Sequence, residues 1–556
     1  MLKKIRSKII LITLFDNIKK RKKLNLLRYN KNLRDKLNIK IKDYQDLQTL
    51  KDLNQKFNLN IEDTDIKEFN IDDKLLGNEL FQYLNNITFN KLKEINISKN
   101  SLTEINFIEN IKFEKLERLY IYSNKISDIN ILEKLQSKNL KTLDLDYNEI
   151  SDIKVLEKVK FEKIEKLSLN YNKISDISIL EKVNFKNLKE LSLNKNEITE
   201  IKVLENAQFD NLQVLNLSEN QISDINILEK VNFKKLEILD LSLNYISGVG
   251  VLEKVNFENL KELILNCNSI SSIDFIENIN FKNLNQLELN FNKITDFKAL
   301  EYAYCLKLHS LKLSFNKITD IKNLEKLELR ELQELELSNN NISNIQILEK
   351  ANFEKLIKIE LYKNKISDIS VLEKVNFIEL KYLNLGRNEI SDITILEKVK
   401  FPNLNALILS NNNLSNIDIL EKVDFKKLRV LHLGYNKITD ISILKKTNFP
   451  DLRELYLKTN EISNINDLAN VNFKKLEVLW LNMNKISDIN IFEKVNFKEL
   501  KELYLNNNEI SDIKVFEKTL FKNPITIYLS GNKIEGKLIN KNLGLNKKIK
   551  LQFTNY

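Results

Sequence analysis

The stretch LKTLDLDYNEISDIKVLEKVKFEK, residues 140–163, returns almost unchanged as LKELYLNNNEISDIKVFEKTLFKN at residues 500–523. A sequence that repeats itself this closely has to be read as repeats before anything else. Aligned on one asparagine, the period is 24 residues without an insertion. The column runs Asn100, Asn124, Asn148, Asn172, Asn196, Asn220, Asn244, Asn268, Asn292, Asn316, Asn340, Asn364, Asn388, Asn412, Asn436, Asn460, Asn484, Asn508 and Asn532. Within residues 140–163, Leu143 and Leu145 alternate with polar neighbours, which predicts a short strand. Ile153, Leu156 and Val159 recur every three residues behind Asp152, a capping residue, which predicts a short 3₁₀ or α helix. One such coil cannot bury its own flanks, so copies must stack and the ends must be capped.

The pattern L-x-x-L-x-L-x-x-N-x-L over residues 92–532 resembles the leucine-rich repeat superfamily. The resemblance implies an α/β solenoid, a curved horseshoe with a concave parallel β-sheet and short 3₁₀ or α helices on the convex side. The repeats share N-x-I-x-x-I-x-x-L with the subgroup that includes internalins and the regulatory subunit of protein phosphatase 1. Four segments follow: a basic helical head over 1–50, an N-terminal cap over 51–91, nineteen repeats over 92–532 and a C-terminal cap over 533–556. The asparagine has a physical reason. Past the strand the chain turns inward and strands backbone groups away from water, and a short amide supplies both donors and an acceptor to the turn and to its neighbour.

Composition narrows the function. Eight glycines and three prolines leave no room for a Gly-rich phosphate loop or long linkers. Two histidines, His309 and His432, and two distant cysteines, Cys267 and Cys305, give little material for a metal site or a nucleophilic centre. No carboxylate pair or nucleophile stands out from the columns of like residues, so the expectation is a protein without catalytic residues, metal or cofactor. The unclustered cysteines and the short apolar run Ile9–Phe15, with no cleavage site after it, predict a cytoplasmic, monomeric protein.

A second column, thirteen residues after each Asn, is Phe in most repeats, including Phe113, Phe161, Phe257, Phe401 and Phe497, and reads as a buried spine. Ser137, Cys305 and Leu329 interrupt it, and the last two predict a softer stretch near 300–330. The outward strand positions are where a partner would bind. Four residues before each Asn they end in His432, Tyr456, Trp480, Tyr504 and Tyr528, five ring side chains on adjacent strands. Such rings serve either as binding hot spots or as a packed ladder. Gly386 and Gly434, two positions on, would let a partner approach closely. Mid-array, Glu288, Glu334, Glu336 and Glu360 mix with Lys312 and Lys358 and read as solvated charge, as does the recurring LEK.

The net charge of +10 is concentrated at the start: residues 1–50 hold 15 Lys and Arg against 4 Asp, and the rest of the chain sums to −1. Ile10, Leu14, Phe15 and Ile18, then Leu24 and Leu27 after the run KKRKK, resemble a degenerate F-box lacking its opening Leu-Pro. That resemblance implies an adaptor-binding head and a substrate receptor of a ubiquitin ligase. A helical cap and a tether to an acidic membrane or nucleic-acid surface are the other readings of the head. For the whole chain the expected function is a protein-binding scaffold using the concave face, with a ubiquitin-ligase substrate receptor and a phosphatase regulatory subunit as alternatives.

Overall fold

The computed structural model describes residues 41–535 and 547–553, apart from 60, 62–66, 73, 75, 88, 90, 111–114, 136, 280, 303–306, 328 and 520. The head residues Ile10, Leu14, Phe15, Ile18, Leu24 and Leu27 lie outside the described residues, as do Phe113 and Cys305. The chain forms two compact bodies, one up to Ile264 and one from Leu265.

In the N-terminal body the helix Ile41–Phe57 runs through residue 50 and buries Leu50 and Leu53, and its last residue, Phe57, meets Tyr83 edge-on at 5.6 Å. A strand at Glu68–Asn70 pairs in parallel with Glu94–Asn96. Seven more strands follow: Arg118–Tyr120, Thr142–Asp144, Lys166–Ser168, Glu190–Ser192, Val214–Asn216, Ile238–Asp240 and Glu262–Ile264. Each pairs in parallel with the next, one repeat further on, as in Leu143 opposite Leu167. The alternation fixes which face is buried: Leu143 and Leu145 are wholly enclosed while Thr142 and Asp144 point outward. Across the core lie short 3₁₀ helices such as Lys154–Glu157 and Ser178–Glu181. Asp152 accepts the amide of Lys154 at 2.9 Å, and Asp176 that of Ser178 at 2.8 Å, so the capping acid closes the turn into each helix. The hydroxyl and amide of Ser178 hold the Asp176 carboxyl below its usual range.

The C-terminal body repeats this arrangement with twelve strands, from Gln286–Glu288 to Ile549–Gln552. Its last pairing sets Ile525 opposite Ile549, still 24 residues apart, although the sequence there has lost the repeat pattern. Most of the helices are 3₁₀, and an α-helical turn forms at Val515–Lys518.

The asparagine column ties successive coils together. Asn388 donates to the carbonyls of Leu361 in the preceding repeat at 2.9 Å and Leu385 in its own at 3.0 Å, and its Oδ1 accepts the amide of Ile366 at 3.0 Å. Asn148 does the same with Ile121, Leu145 and Ile126 in the N-terminal body. Asn172 and Asn532 are half-buried and the other seventeen are buried. The phenylalanine spine is buried as well, from Phe161 and Phe257 to Phe401 and Phe497. Where Ser137 replaces the ring, its hydroxyl donates to the Leu116 carbonyl at 2.7 Å, and Leu329 fills its place as a buried aliphatic. On the helix side, the lysine of most LEK segments reaches the glutamate of the repeat before, as Lys350 to Glu325 at 2.8 Å and Lys374 to Glu349 at 3.0 Å. These exposed pairs keep the surface soluble and neutral more than they stabilise it.

Candidate protein-binding face

In the C-terminal body the five rings come together. Their strands lie side by side in one register, with His432 opposite Tyr456, Tyr456 opposite Trp480, Trp480 opposite Tyr504 and Tyr504 opposite Tyr528. The ring centroids are 4.6, 5.6, 3.6 and 4.3 Å apart in that order, and the planes are within 20° of parallel. The faces of Tyr456, Trp480 and Tyr504 therefore look at neighbouring rings, and the edges are what the surface presents. A ligand that needs an open ring face, such as a stacked base or sugar, finds none within the row.

The flanks of the ladder are polar. Tyr456 and Tyr504 donate their hydroxyls to Glu454 and Glu502, each at 2.6 Å, and burial together with those carboxylates holds both phenols well above their usual pKa. Burial, with Lys458 beside it, pushes the His432 imidazole down to about 4, so the ring is neutral at physiological pH. Lys458 places its ammonium 5.3 Å from the Trp480 ring and 5.1 Å from that of Tyr435. Gly434 offers no opening. A Cβ there would lie 3.0 Å from Lys458 Cγ and 3.2 Å from the His432 ring, and at Gly386 Ser410, Asn384 and Tyr362 close in similarly. The sequence suggested an approach path at these glycines, but neighbouring side chains already use the space.

Three polar atoms at the ladder have no hydrogen-bond partner among the described residues: the indole nitrogen of Trp480 and the amide oxygens of Asn482 and Asn506. Such groups are uncommon, and each costs roughly 1–3 kcal/mol until something pairs with it. No sequence pattern marks them, since Asn482 and Asn506 sit in a column that elsewhere holds Ser, Asn, Asp, Tyr, Gly or Lys. From Asp146 to Ser218 the corresponding column of the N-terminal body pairs with itself: Asp146 accepts from Ser168 at 2.8 Å and from the Asn170 side chain at 3.0 Å, and Asn194 donates to Ser218 at 2.6 Å. The mid-array charges pair off too, Lys312 with Glu288 at 2.5 Å and Lys358 with Glu336 at 2.7 Å.

Sequence reasoning also missed a column one residue before each Asn. From Lys99 to Asn507 these residues take left-handed backbone, with φ between 49° and 58°. Glycine or asparagine suits that geometry best, yet several positions hold large apolar groups left half open to solvent. Tyr147 stacks on Tyr171 at 4.0 Å, and Phe291 on Phe315 at 3.9 Å. Among the described residues no cluster of three or more His, Cys, Asp or Glu could hold a metal ion, and no helix is long and apolar enough to cross a membrane.

A family model described as leucine-rich repeats in two copies matches residues 114–158, 138–182, 162–206, 210–254, 258–302, 402–446, 426–470 and 474–518, together more than half of the chain. A single-repeat model matches residues 304–321. Among solved structures, an internalin from Listeria monocytogenes is 30% identical over 63% of this chain and 88% of its own, with a TM-score of 0.48. A leucine-rich-repeat protein of Leptospira interrogans is 21% identical over 85% of this chain and 98% of its own, with a TM-score of 0.53. The Arabidopsis receptor kinase HAESA, solved with the peptide hormone IDA and the co-receptor SERK1, is 19% identical over 83% and 85%, with a TM-score of 0.47. No curated protein sequence matches the chain. With its period, its asparagine column and its parallel strands in place, the chain belongs to the leucine-rich repeat family.

Proposed function

We propose that the protein is a non-enzymatic scaffold that binds a protein partner on the outward sheet face of its C-terminal body, over His432, Tyr456, Trp480, Tyr504 and Tyr528. Leucine-rich repeat proteins as a class present surfaces to protein partners. The observation that carries the reading here is the unpaired Trp480 N–H and the unpaired Asn482 and Asn506 carbonyls beside a row of ring edges. A partner supplying an acceptor and donors there would relieve a cost that the free protein bears. A ladder serving only packing has no use for polar atoms left unmet.

Trp480→Phe tests this, because it keeps an aromatic ring in the stack and removes the N–H along with the five-membered ring that carries it. Partners captured from native extract by the full chain are quantified against those captured by the variant, with thermal unfolding measured on both. Retention falling about three- to tenfold at unchanged Tm is the expected result, the worth of one hydrogen bond. Equal retention of every partner by both proteins overturns the assignment.

A further inference from the structure

We infer that the partner meets the ring face with an extended acidic segment, one of whose Asp or Glu side chains pairs with Lys458. This rests on the ring face being a protein-binding surface and names the chemistry of what that surface takes.

Lys458 lies two residues past the strand Glu454–Tyr456, on the same face as the rings. Counting the residue two past each strand, the outward positions of the sheet from Gln286 to Ser530 hold three cations, Lys312, Lys358 and Lys458. Lys312 and Lys358 pair with Glu288 and Glu336, whereas no carboxylate pairs with Lys458 among the described residues. Its side chain is half-buried and held in place. The stem crosses Gly434, where a Cβ would lie 3.0 Å from Lys458 Cγ, so the glycine leaves the room that the stem occupies. The ammonium ends 5.1 Å from the Tyr435 ring and 5.3 Å from that of Trp480, and rings hold a cation without cancelling its charge.

The carboxylates of the neighbourhood do not answer it. Glu454 and Glu502 lie on the other flank of the ring row, about 13 Å away along the strand direction, and accept from Tyr456 and Tyr504 at 2.6 Å. Glu477 on that flank takes both Arg453 and Lys501. His432, held down to about 4 by burial and by Lys458, is neutral and adds no second charge, so the cationic flank calls for a single carboxylate.

A second observation lies on the adjoining strands. Asn482, one strand on in the same column, is 7% exposed, and its amide oxygen has no partner among the described residues. The same holds for the amide oxygen of Asn506, a strand further, and for the indole N–H of Trp480. Strand spacing sets Asn482 and Asn506 roughly 5 and 10 Å from Lys458 along the column. A polypeptide supplies N–H groups and carbonyls along such a line while one of its side chains brings the carboxylate, which a small anion cannot do at once. The column runs on past Lys458 in both directions, to Gly434 and Ser410 and to Asn506 and Ser530, so the segment passes Lys458 in mid-course and the carboxylate belongs to a side chain, not to a chain end.

Selection of a phage-displayed random peptide library on the full chain supplies the probes, and the fluorescence of Trp480, the one tryptophan of the chain, shows which of them bind at the rings. Those peptides are expected to carry Asp or Glu, to lose about tenfold or more in affinity when it is replaced by Asn or Gln, and to bind equally well with an amidated C-terminus. Lys458→Gln is expected to bring the acidic peptide and its amide counterpart to the same affinity, and Lys458→Arg to restore the difference. Peptides that shift the fluorescence without an acidic side chain, an acidic preference that survives Lys458→Gln, binding that needs a free C-terminus, or a selection that yields no such peptide each overturns the inference. The reading it rests on stands or falls separately, by whether Trp480→Phe weakens capture of the partner.

Discussion

Asn388→Ala tests the asparagine column at a buried position within the C-terminal body. The side chain is buried, and its loss leaves the amide of Ile366 without its partner, while the carbonyls of Leu361 and Leu385 each lose one of two donors and keep the other, Asn364 at 3.1 Å and Asn412 at 3.0 Å. At roughly 1–3 kcal/mol for one buried group left unmet, with two carbonyls also reduced to a single donor, the expected loss is about 2–3 kcal/mol. The unmet amide belongs to the preceding repeat, so the damage crosses the repeat boundary. Stability in stacked repeats is a sum of local and nearest-neighbour terms, which makes amide hydrogen exchange the right assay, since it reads each coil separately. The Ile366 amide should lose protection by about 30- to 150-fold, while amides in the repeats around Asn148 keep theirs. Asn388→Gln keeps the same groups one methylene further out and should fall between wild type and Ala. An Ile366 amide as protected in Asn388→Ala as in the wild type would refute the reasoning, because the bond credited with closing the turn would then be replaceable at no cost.

Gly531 is the one glycine in the left-handed column, and a Cβ there would lie 2.0 Å from Asn507 Oδ1; Gly531→Ala should therefore destabilise the C-terminal repeats by about 2 kcal/mol or more in denaturant unfolding, through clash and φ together. At Lys363, with φ of 56°, a β-branched residue is penalised by backbone alone. Lys363→Val should cost about 1–2 kcal/mol, while Lys365→Val, two residues on and equally exposed, stays within about 0.5 kcal/mol. His432 makes stability depend on pH. Its imidazole is held down to about 4 against 6.5 when unfolded, so its contribution is complete above pH 6.5 and is lost as pH falls toward 4, by about 3 kcal/mol in all. Denaturation midpoints of wild type and His432→Phe should diverge over that window and run parallel above it.

How much of this was legible in the sequence depends on which column a residue occupies. Leu143, Leu145, Ile153 and Phe161 announce strand, helix and spine because burial demands an apolar group at a fixed phase, and the same phase recurs every 24 residues. Asn388 announces its role for the same reason, since a small amide with donor and acceptor is the one side chain that closes that turn. The left-handed column stayed hidden because the chain fills it with Lys, Tyr, Phe, Leu, Met and Thr instead of glycine, so composition carries no mark of the backbone geometry. The ring ladder could be placed from register, but edge presentation could not, because it depends on side-chain torsions that leave neighbouring rings within 20° of parallel. The strand at Ile549–Gln552 was missed because pairing register outlasts the leucine pattern by one coil.

The same division separates what holds the molecule together from what it offers to others. Columns that scarcely vary face inward and are explained completely by packing and by backbone hydrogen bonds. The column four residues before each asparagine faces outward and varies freely, with scattered carboxylates in both bodies, Asp144 and Asp240 in one and Glu288, Glu336 and Glu360 in the other, and the unbroken row of rings from His432 to Tyr528 in the C-terminal body. Neither arrangement helps a coil to stack, for Asp144 is raised in pKa by its surroundings and Trp480 leaves its N–H unmet. Outward positions elsewhere show that this chain readily finds neutral solutions, such as the Ser and Asn network from Asp146 to Ser218. A ring row with an unmet N–H, in a position free to vary, is best explained by something outside the repeats that repays its cost, a protein partner.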